Sequence, residues 1–422
     1  MKNEHFSEIL KGSAAVFCLR ILAAVIALLL TKEITHQLGA EESGYYFFVI
    51  SFITFLTSFA SFGLINASLK EVALNLKNDF FLKNYITKSL MLIVVGVSIA
   101  SLVLFLFNEI SKLFGFEHQI ISQYIIQIIM GLLPFVVLLF FSSYFQASAK
   151  LVRAMLLLNF MYQLVLLVLL TIRPVSNVES LLNYFHFSIY GILAIVLISF
   201  IRKSTFSTND SKSFRSILLL STPMMVGHIV SQVNNLSGQL LLSIFSTTTN
   251  ISLIAVSTRV AILMSFLIIA VNKVVAPKFA ILYSENKMDD LKKVVVFSNR
   301  LLLGFSLPIL IGIILFGKRI LNLFGEEFED AYFVLVIVSI GQFFASISGT
   351  VVFLLQMTGH EKVVRNNIVF STIATLIIGL VVVPIYGLIG AAIMTFVSLV
   401  SVNLMASYKA IKILNINPFK II

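Results

Sequence analysis

The sequence predicts an all-α polytopic membrane protein of about twelve transmembrane helices in two six-helix bundles. Three observations carry this. The mean hydropathy is +1.03 and 12% of the 422 residues are charged, where a soluble domain runs at ~25%. Apolar runs of the ~20 residues needed to cross hydrocarbon recur along the whole chain. Lys and Arg gather in every second loop, as in a chain that threads a bilayer.

Six spans occupy the first half: 14–30, 45–69, 86–107, 119–141, 154–172 and 181–201. Six more follow at 217–245, 251–276, 301–316, 331–355, 368–383 and 387–405. The last two are joined by a tight turn at Pro384–Gly387. Lys2 and Lys11 precede the first span as in a secretion signal, but Arg20 interrupts the apolar run and no small-residue cleavage site follows, so it reads as a retained helix. Cys18 is the single cysteine, which excludes a disulfide within the chain.

Of the 30 Lys and Arg, 22 fall in the termini and even-numbered loops, with Lys88 at the very start of the third span counted in the second loop, 5 in the odd-numbered loops and 3 deeper inside spans. The positive-inside rule then places both termini in the cytoplasm of a multi-pass protein. The odd loops are acidic, as at Glu41-Glu42 and Glu326-Glu327. The net charge of +11 therefore reports topology and anionic headgroups rather than nucleic acid. No loop is long enough to hold a catalytic domain.

The polar stretch Arg202–Arg215 divides six spans from six, giving halves 1–207 and 208–422. An offset of 208 residues pairs Phe6 with Phe214, Ser13 with Ser221, Ile21 with Ile229 and Lys70 with Lys278. An even number of spans per half makes the repeats parallel, with a substrate site expected between them and alternating access by rocking.

The span residues that can carry chemistry are few. Arg20, Arg259 and Lys273 lie inside spans with no Asp or Glu beside them. Each costs ~2.5–3.5 kcal/mol at the bilayer centre on insertion scales, so an anionic ligand is the natural partner to look for. Snorkelling competes for Lys273, and pairing with carbonyls competes for the two arginines. Span seven carries His228, Gln232, Asn235 and Gln239 at spacings of four, three and four, which puts all four on one stripe. Two readings of the stripe stay open: interhelical hydrogen bonding, or the wall of a hydrated cavity whose amides bind sugar hydroxyls. Asn66, Asn159, Gln163 and Asn272 read as packing residues, and His5, His36, His118, His186 and His360 as loop or span-end residues. There is no cofactor box, phosphate-binding glycine loop or metal-ligand cluster in the sequence.

Several short motifs occur in a definite order. They are LGAEESGYYFF from Leu38, FGLINASLKEVA from Phe62, Ser221-Thr222-Pro223, and APKFAILYSENKMDDLKK from Ala276. LFGEEFEDAY from Leu323, QMTGHEKVVRNN from Gln356 and VPIYGLIGAA from Val383 complete the set. In this order the chain resembles the Wzx-type O-antigen and polysaccharide flippases of the multidrug/oligosaccharidyl-lipid/polysaccharide (MOP) exporter superfamily. The resemblance implies a MATE-like fold and export of undecaprenyl-diphosphate-linked glycan across the bacterial inner membrane, for O-antigen and lipopolysaccharide assembly. It implies bilayer lipids, a polysaccharide polymerase and a chain-length regulator as partners, and cationic cavity residues facing the anionic substrate. Alternatives are a MATE-type drug/cation antiporter, which needs intramembrane carboxylates, and a membrane enzyme of polysaccharide assembly, which needs loop carboxylates or a large external loop.

Overall fold

The computed structural model describes residues 2–115, 118–201 and 213–419. Every regular element among them is helical. In chain order these are α1 (Lys2–Ala60), α2 (Leu64–Leu74), α3 (Asp79–Leu113), α4 (Gln119–Ala147), α5 (Leu151–Met155), α6 (Met161–Ile172) and α7 (Val178–Ile201). They continue as α8 (Phe214–Phe245), α9 (Thr248–Ala261), α10 (Ser265–Ser284), α11 (Met288–Asn322), α12 (Tyr332–Ser348), α13 (Thr350–Met357) and α14 (Glu361–Leu414). Among the described residues, eight helices are long and apolar enough to cross a membrane. In hydrocarbon only intrasegment hydrogen bonding satisfies the backbone, so an apolar chain of this kind has little choice but helix.

Two of the longest helices are broken by glycine. Gly39 in α1 sits at φ 72°, ψ −178°, and Gly387 in α14 at φ 52°, ψ −121°. Both are positive-φ conformations that residues with a Cβ avoid. A single π-helical turn, Leu156–Phe160, links α5 to α6, and a 3-10 turn, Ile262–Met264, links α9 to α10. With α1 and α14 divided at their glycines, and the second part of α1 with α2, α5/α6, α9/α10 and α12/α13 taken as interrupted rods, each of the twelve expected spans falls on one rod. The linker expected at Arg202–Arg215 lies mostly outside the described residues.

The chain folds into two compact units, one of Met1–Leu38 with Tyr45–Gln232, the other of Gly39–Gly44 with Val233–Ile422. In the first, α4 packs against α2, α3, α5 and α7. Its centre is aromatic: Phe185 meets Tyr46 and Tyr162 edge-on, with ring centroids 6.5 and 6.1 Å apart. Gly131 of α4 leaves no room for a Cβ beside Ile53, and His186 bonds the Gln127 carbonyl at 2.9 Å. His186 is thus a satisfied structural residue, as expected. His118 caps α4 by accepting from the Ile121 amide and stacks on Phe48, and burial pushes its pKa below the ordinary value.

In the second unit, Val275, Phe279, Leu291, Val295, Val351, Leu354 and Ala410 build the core of α10, α11, α13 and α14. Asn299 donates to the Pro418 carbonyl at 2.9 Å and accepts from Thr350, fixing the segment after α14. The short segment Gly39–Gly44 belongs here too. The Ala40 amide donates to Glu327 at 3.0 Å, Ser43 and Ser252 share a 2.7 Å hydrogen bond, and a Cβ on Gly44 would lie 2.0 Å from the Thr248 carbonyl oxygen. The GAEESG and GEEFED motifs of the sequence are therefore one contact.

Gly63 shows how closely helices approach. It holds φ 75°, and a Cβ there would lie 2.3 Å from the Ser221 carbonyl oxygen and 2.6 Å from the Met225 amide of α8. Gly63→Ala should destabilise the protein by about 2–4 kcal/mol, from left-handed strain and overpacking against backbone. Gly191→Ala, with no atom within 4 Å of its new methyl, should be neutral. Melting curves in detergent check this, and equal melting temperatures for the two variants would remove the packing role of Gly63.

Candidate functional site

The polar stripe lies on α8, which carries Pro223 between Ser221 and Met225, the two residues that Gly63 packs against. Ser221 and Thr222 hydroxyls turn back to the Leu218 carbonyl at 3.3 and 2.7 Å. The packed side of α8 is carried by Ser237, Gly238, Leu241 and Leu242, all buried. Asn234 belongs with them: Ser398 of α14 donates to its side-chain oxygen at 2.8 Å. That side centres ~130° around the helix from the stripe. On the stripe Asn235 is exposed, while His228, Gln232 and Gln239 are half-buried.

Of the eight long apolar helices, α8 is the least covered, with 11% of its most apolar window buried against 28–56% for the others. An uncovered helix in a membrane faces lipid or water. Amide side chains facing lipid would lack partners at a cost of several kcal/mol. The stripe therefore needs protein or water beside it. Its upper pair, His228 and Gln232, belongs to the first unit, and Asn235 and Gln239 to the second. Gln239 also interacts within the protein.

The three expected cations differ in setting. Arg20, on α1 in the first unit, is half-buried, and its Nε is shielded from solvent with no hydrogen-bond partner among the described residues. His228 Nδ1 is in the same position. Buried nitrogens of this kind need water or a ligand to complete them. Arg259 is half-buried in the last turn of α9, where exposed carbonyls favour a cation. It is engaged within the protein. Lys273 lies on α10 and its side chain falls outside the described residues, as does that of Asn159. Asn272 donates to the Gly349 carbonyl at 3.3 Å, the packing role expected of it.

Sequence reasoning misses two buried charged residues in the first unit. Glu71 of α2 and Lys88 of α3 are 5% and 4% exposed, and both are engaged within the protein. Lys88 also sits 5.5 Å from the ring centroid of Phe214, within cation–π range. Asn84 and Tyr85 are buried one turn before it on α3. Lys88, counted with the second loop from the sequence, is a buried cation inside α3, and Glu71 is a buried carboxylate just beyond the second span. The available signal is Asn84 and Lys88, spaced four apart at the start of an apolar run.

Residues 9–283 match the family described as "Polysaccharide biosynthesis protein". The chain belongs to that family. A relative from Haloferax volcanii, described as "Probable low-salt glycan biosynthesis flippase Agl15", is 23% identical over 188 residues, covering 44% of this chain and 40% of that protein. The chain thus matches well under half the length of this curated relative. Among solved structures, an inward-facing MATE family transporter of the MOP superfamily superposes with a TM-score of 0.76 at 13% identity, covering 93% of this chain and 94% of the other. The lipid II flippase MurJ, in an inward closed conformation, superposes at 0.71 with 18% identity, covering 95% and 87%. Identities this low establish the fold. Together with the family match they bear out the resemblance to Wzx-type flippases of the MOP superfamily.

Water exposure of the stripe is directly measurable. In a Cys18→Ala background, Gln232→Cys and Asn235→Cys should react with a charged, membrane-impermeant thiol reagent supplied to both faces at least about ten-fold faster than Val95→Cys on α3, because only a hydrated thiol forms the reactive thiolate. Val95 is 50% exposed on an apolar helix and serves as the lipid-facing control. Equal rates would make the stripe a lipid-side or packed surface.

Proposed function

We propose that the protein is a flippase for a lipid-linked oligosaccharide. The proposed cargo is an undecaprenyl-diphosphate-linked repeat unit of O-antigen or a related polysaccharide. It moves from the cytoplasmic to the periplasmic face of the bacterial inner membrane by alternating access of two six-helix repeats, 1–207 and 208–422. The protein is a transporter and not an enzyme, with both termini cytoplasmic. A polysaccharide polymerase and a chain-length regulator act on what it delivers.

The observation that carries this reading is the polar stripe on the least covered helix. A sugar presents many hydroxyls, each able to donate and accept, and Gln232, Asn235 and Gln239 supply matching amides at helical spacing. His228 extends the row by one turn. The diphosphate is the anion for which Arg20, Arg259 and Lys273 are the partners, the arginines through bidentate hydrogen bonds. The polyprenyl tail stays in the bilayer. Family membership supports the substrate class, and so do the glycan role stated for the Haloferax volcanii relative and the lipid cargo stated for MurJ.

Arg20→Ala and Arg259→Ala should each abolish surface polysaccharide, with lipid-linked repeat units accumulating on the cytoplasmic leaflet and membrane insertion intact. Lys at either position should restore a fraction of export, since the charge remains and the bidentate grip is lost. Normal surface polysaccharide in both Ala variants would dismiss the cationic role.

The membrane potential is the proposed energy source. Moving one negative charge outward through the full field of a negative-inside cell gains ~2.3 kcal/mol per 100 mV. Transport in proteoliposomes should follow an imposed potential with no proton or sodium gradient present. Dependence on an ion gradient alone would instead implicate His228, the one ionisable side chain of the stripe.

A further inference from the structure

The first unit holds a cavity of about 430 Å³ that the transport reading does not use. Its floor and walls are Phe141, Phe145, Leu156, Leu157, Met161 and Val196, and Lys150 and Arg153 stand at its mouth. Among the described residues Tyr144 and Ser199 add its hydroxyls, and no acidic side chain lines it. The volume lies in the ~300–1,000 Å³ range of small-molecule sites.

Local structure builds this slot. The α4–α5 turn puts Ala149 at φ 57°, a conformation unusual for a residue with a Cβ, and so turns Lys150 toward the mouth. Ser142 ties α4 to α5 by donating to the Ala154 carbonyl at 2.9 Å. Phe141 and Phe200, both lining it, meet edge-to-face with 5.4 Å between centroids. The π-helical turn Leu156–Phe160 forms one wall, and such turns widen a helix and occur often at functional sites. Lys150 and Arg153 are exposed and form no ion pair or side-chain hydrogen bond among the described residues. Two uncompensated cations one helical turn apart therefore crown an aromatic and aliphatic slot. They lie in the Lys- and Arg-rich fourth loop, the side of the chain where anionic headgroups are expected.

We propose that this slot is a binding site for an anionic phospholipid. Its phosphate sits between Lys150 and Arg153, Tyr144 and Ser199 face the glycerol ester region, and the upper part of one acyl chain fills the space between Phe145, Leu157, Met161 and Val196. Simple snorkelling of two basic side chains would need no such cavity beneath them. A bound lipid there bridges α4, α5 and α7, and the inference stands independently of the transported cargo.

The chain contains no tryptophan, so Phe145→Trp places one clean fluorophore in the slot. In vesicles, brominated phosphatidylglycerol should quench it with an apparent association constant at least about five-fold above that of brominated phosphatidylcholine. Lys150→Ala/Arg153→Ala should bring the two lipids to parity. Ser199→Phe, which fills the mouth and keeps both charges, should also lower phosphatidylglycerol quenching. Native mass spectrometry of the wild-type chain, free of any Trp substitution, should show phosphatidylglycerol retained and the double Ala variant without it. Equal quenching by the two lipids, or full preference surviving Ser199→Phe, would overturn the slot. Displacement by inorganic phosphate at matched ionic strength would mark a free-anion site instead. Displacement by undecaprenyl phosphate at far lower mole fraction than phosphatidylglycerol would assign it to the cargo's tail.

Discussion

In a bilayer a polar group must find its partner inside the protein, in trapped water or in a ligand, because the hydrocarbon offers none. That constraint orders most of what is seen here. It makes every element helical. It also gives each buried polar side chain a meaning that it would lack in a soluble protein. Asn272 reaches the Gly349 carbonyl, Asn299 the Pro418 carbonyl, and Asn234 receives the Ser398 hydroxyl. These settle the packing of the rods. Arg20 Nε and His228 Nδ1 are among the shielded atoms with no partner among the described residues, so water or a ligand must complete them.

Close helix approach depends on the same economy of partners. Where backbones meet at Gly44 and Gly63, there is no side chain to interpose. The segment Gly39–Gly44 is held by hydrogen bonds from Ala40 and Ser43 to Glu327 and Ser252, so the acidic odd-numbered loops are structural ligands as well as topology markers. Loop carboxylates that look like solvated charge in a sequence are here capping groups for a chain break at Gly39.

The rods were legible in the sequence because hydropathy over ~20 residues is a strong signal; the break at Gly387 falls on the expected Pro384–Gly387 turn, and the one at Gly39 falls in the gap between the first two spans. The stripe of His228, Gln232, Asn235 and Gln239 was legible because helical spacing converts directly into a face. What one-dimensional reading lacked was depth. Glu71 and Lys88 stand at the margins of apolar runs, where a residue is equally able to reach water or to be sealed under a neighbouring helix. Only the packing of α2, α3 and the start of α8 decides for burial. Likewise Lys150 and Arg153 read as loop charges until the π-helical turn beside them opens a slot below.

The burial of Glu71 and Lys88 also bears on the transport reading proposed above. The two residues are 5% and 4% exposed, and each is engaged within the protein. A buried charge persists only where protein partners replace its water, so these two read as structural charges of the first unit rather than as groups waiting for an anion. Arg20 differs from them: it is half-buried, and its Nε is shielded with no hydrogen-bond partner among the described residues. A shielded donor of that kind is completed by water or by a ligand, which makes Arg20 the cation whose setting is most easily reconciled with a bound anion.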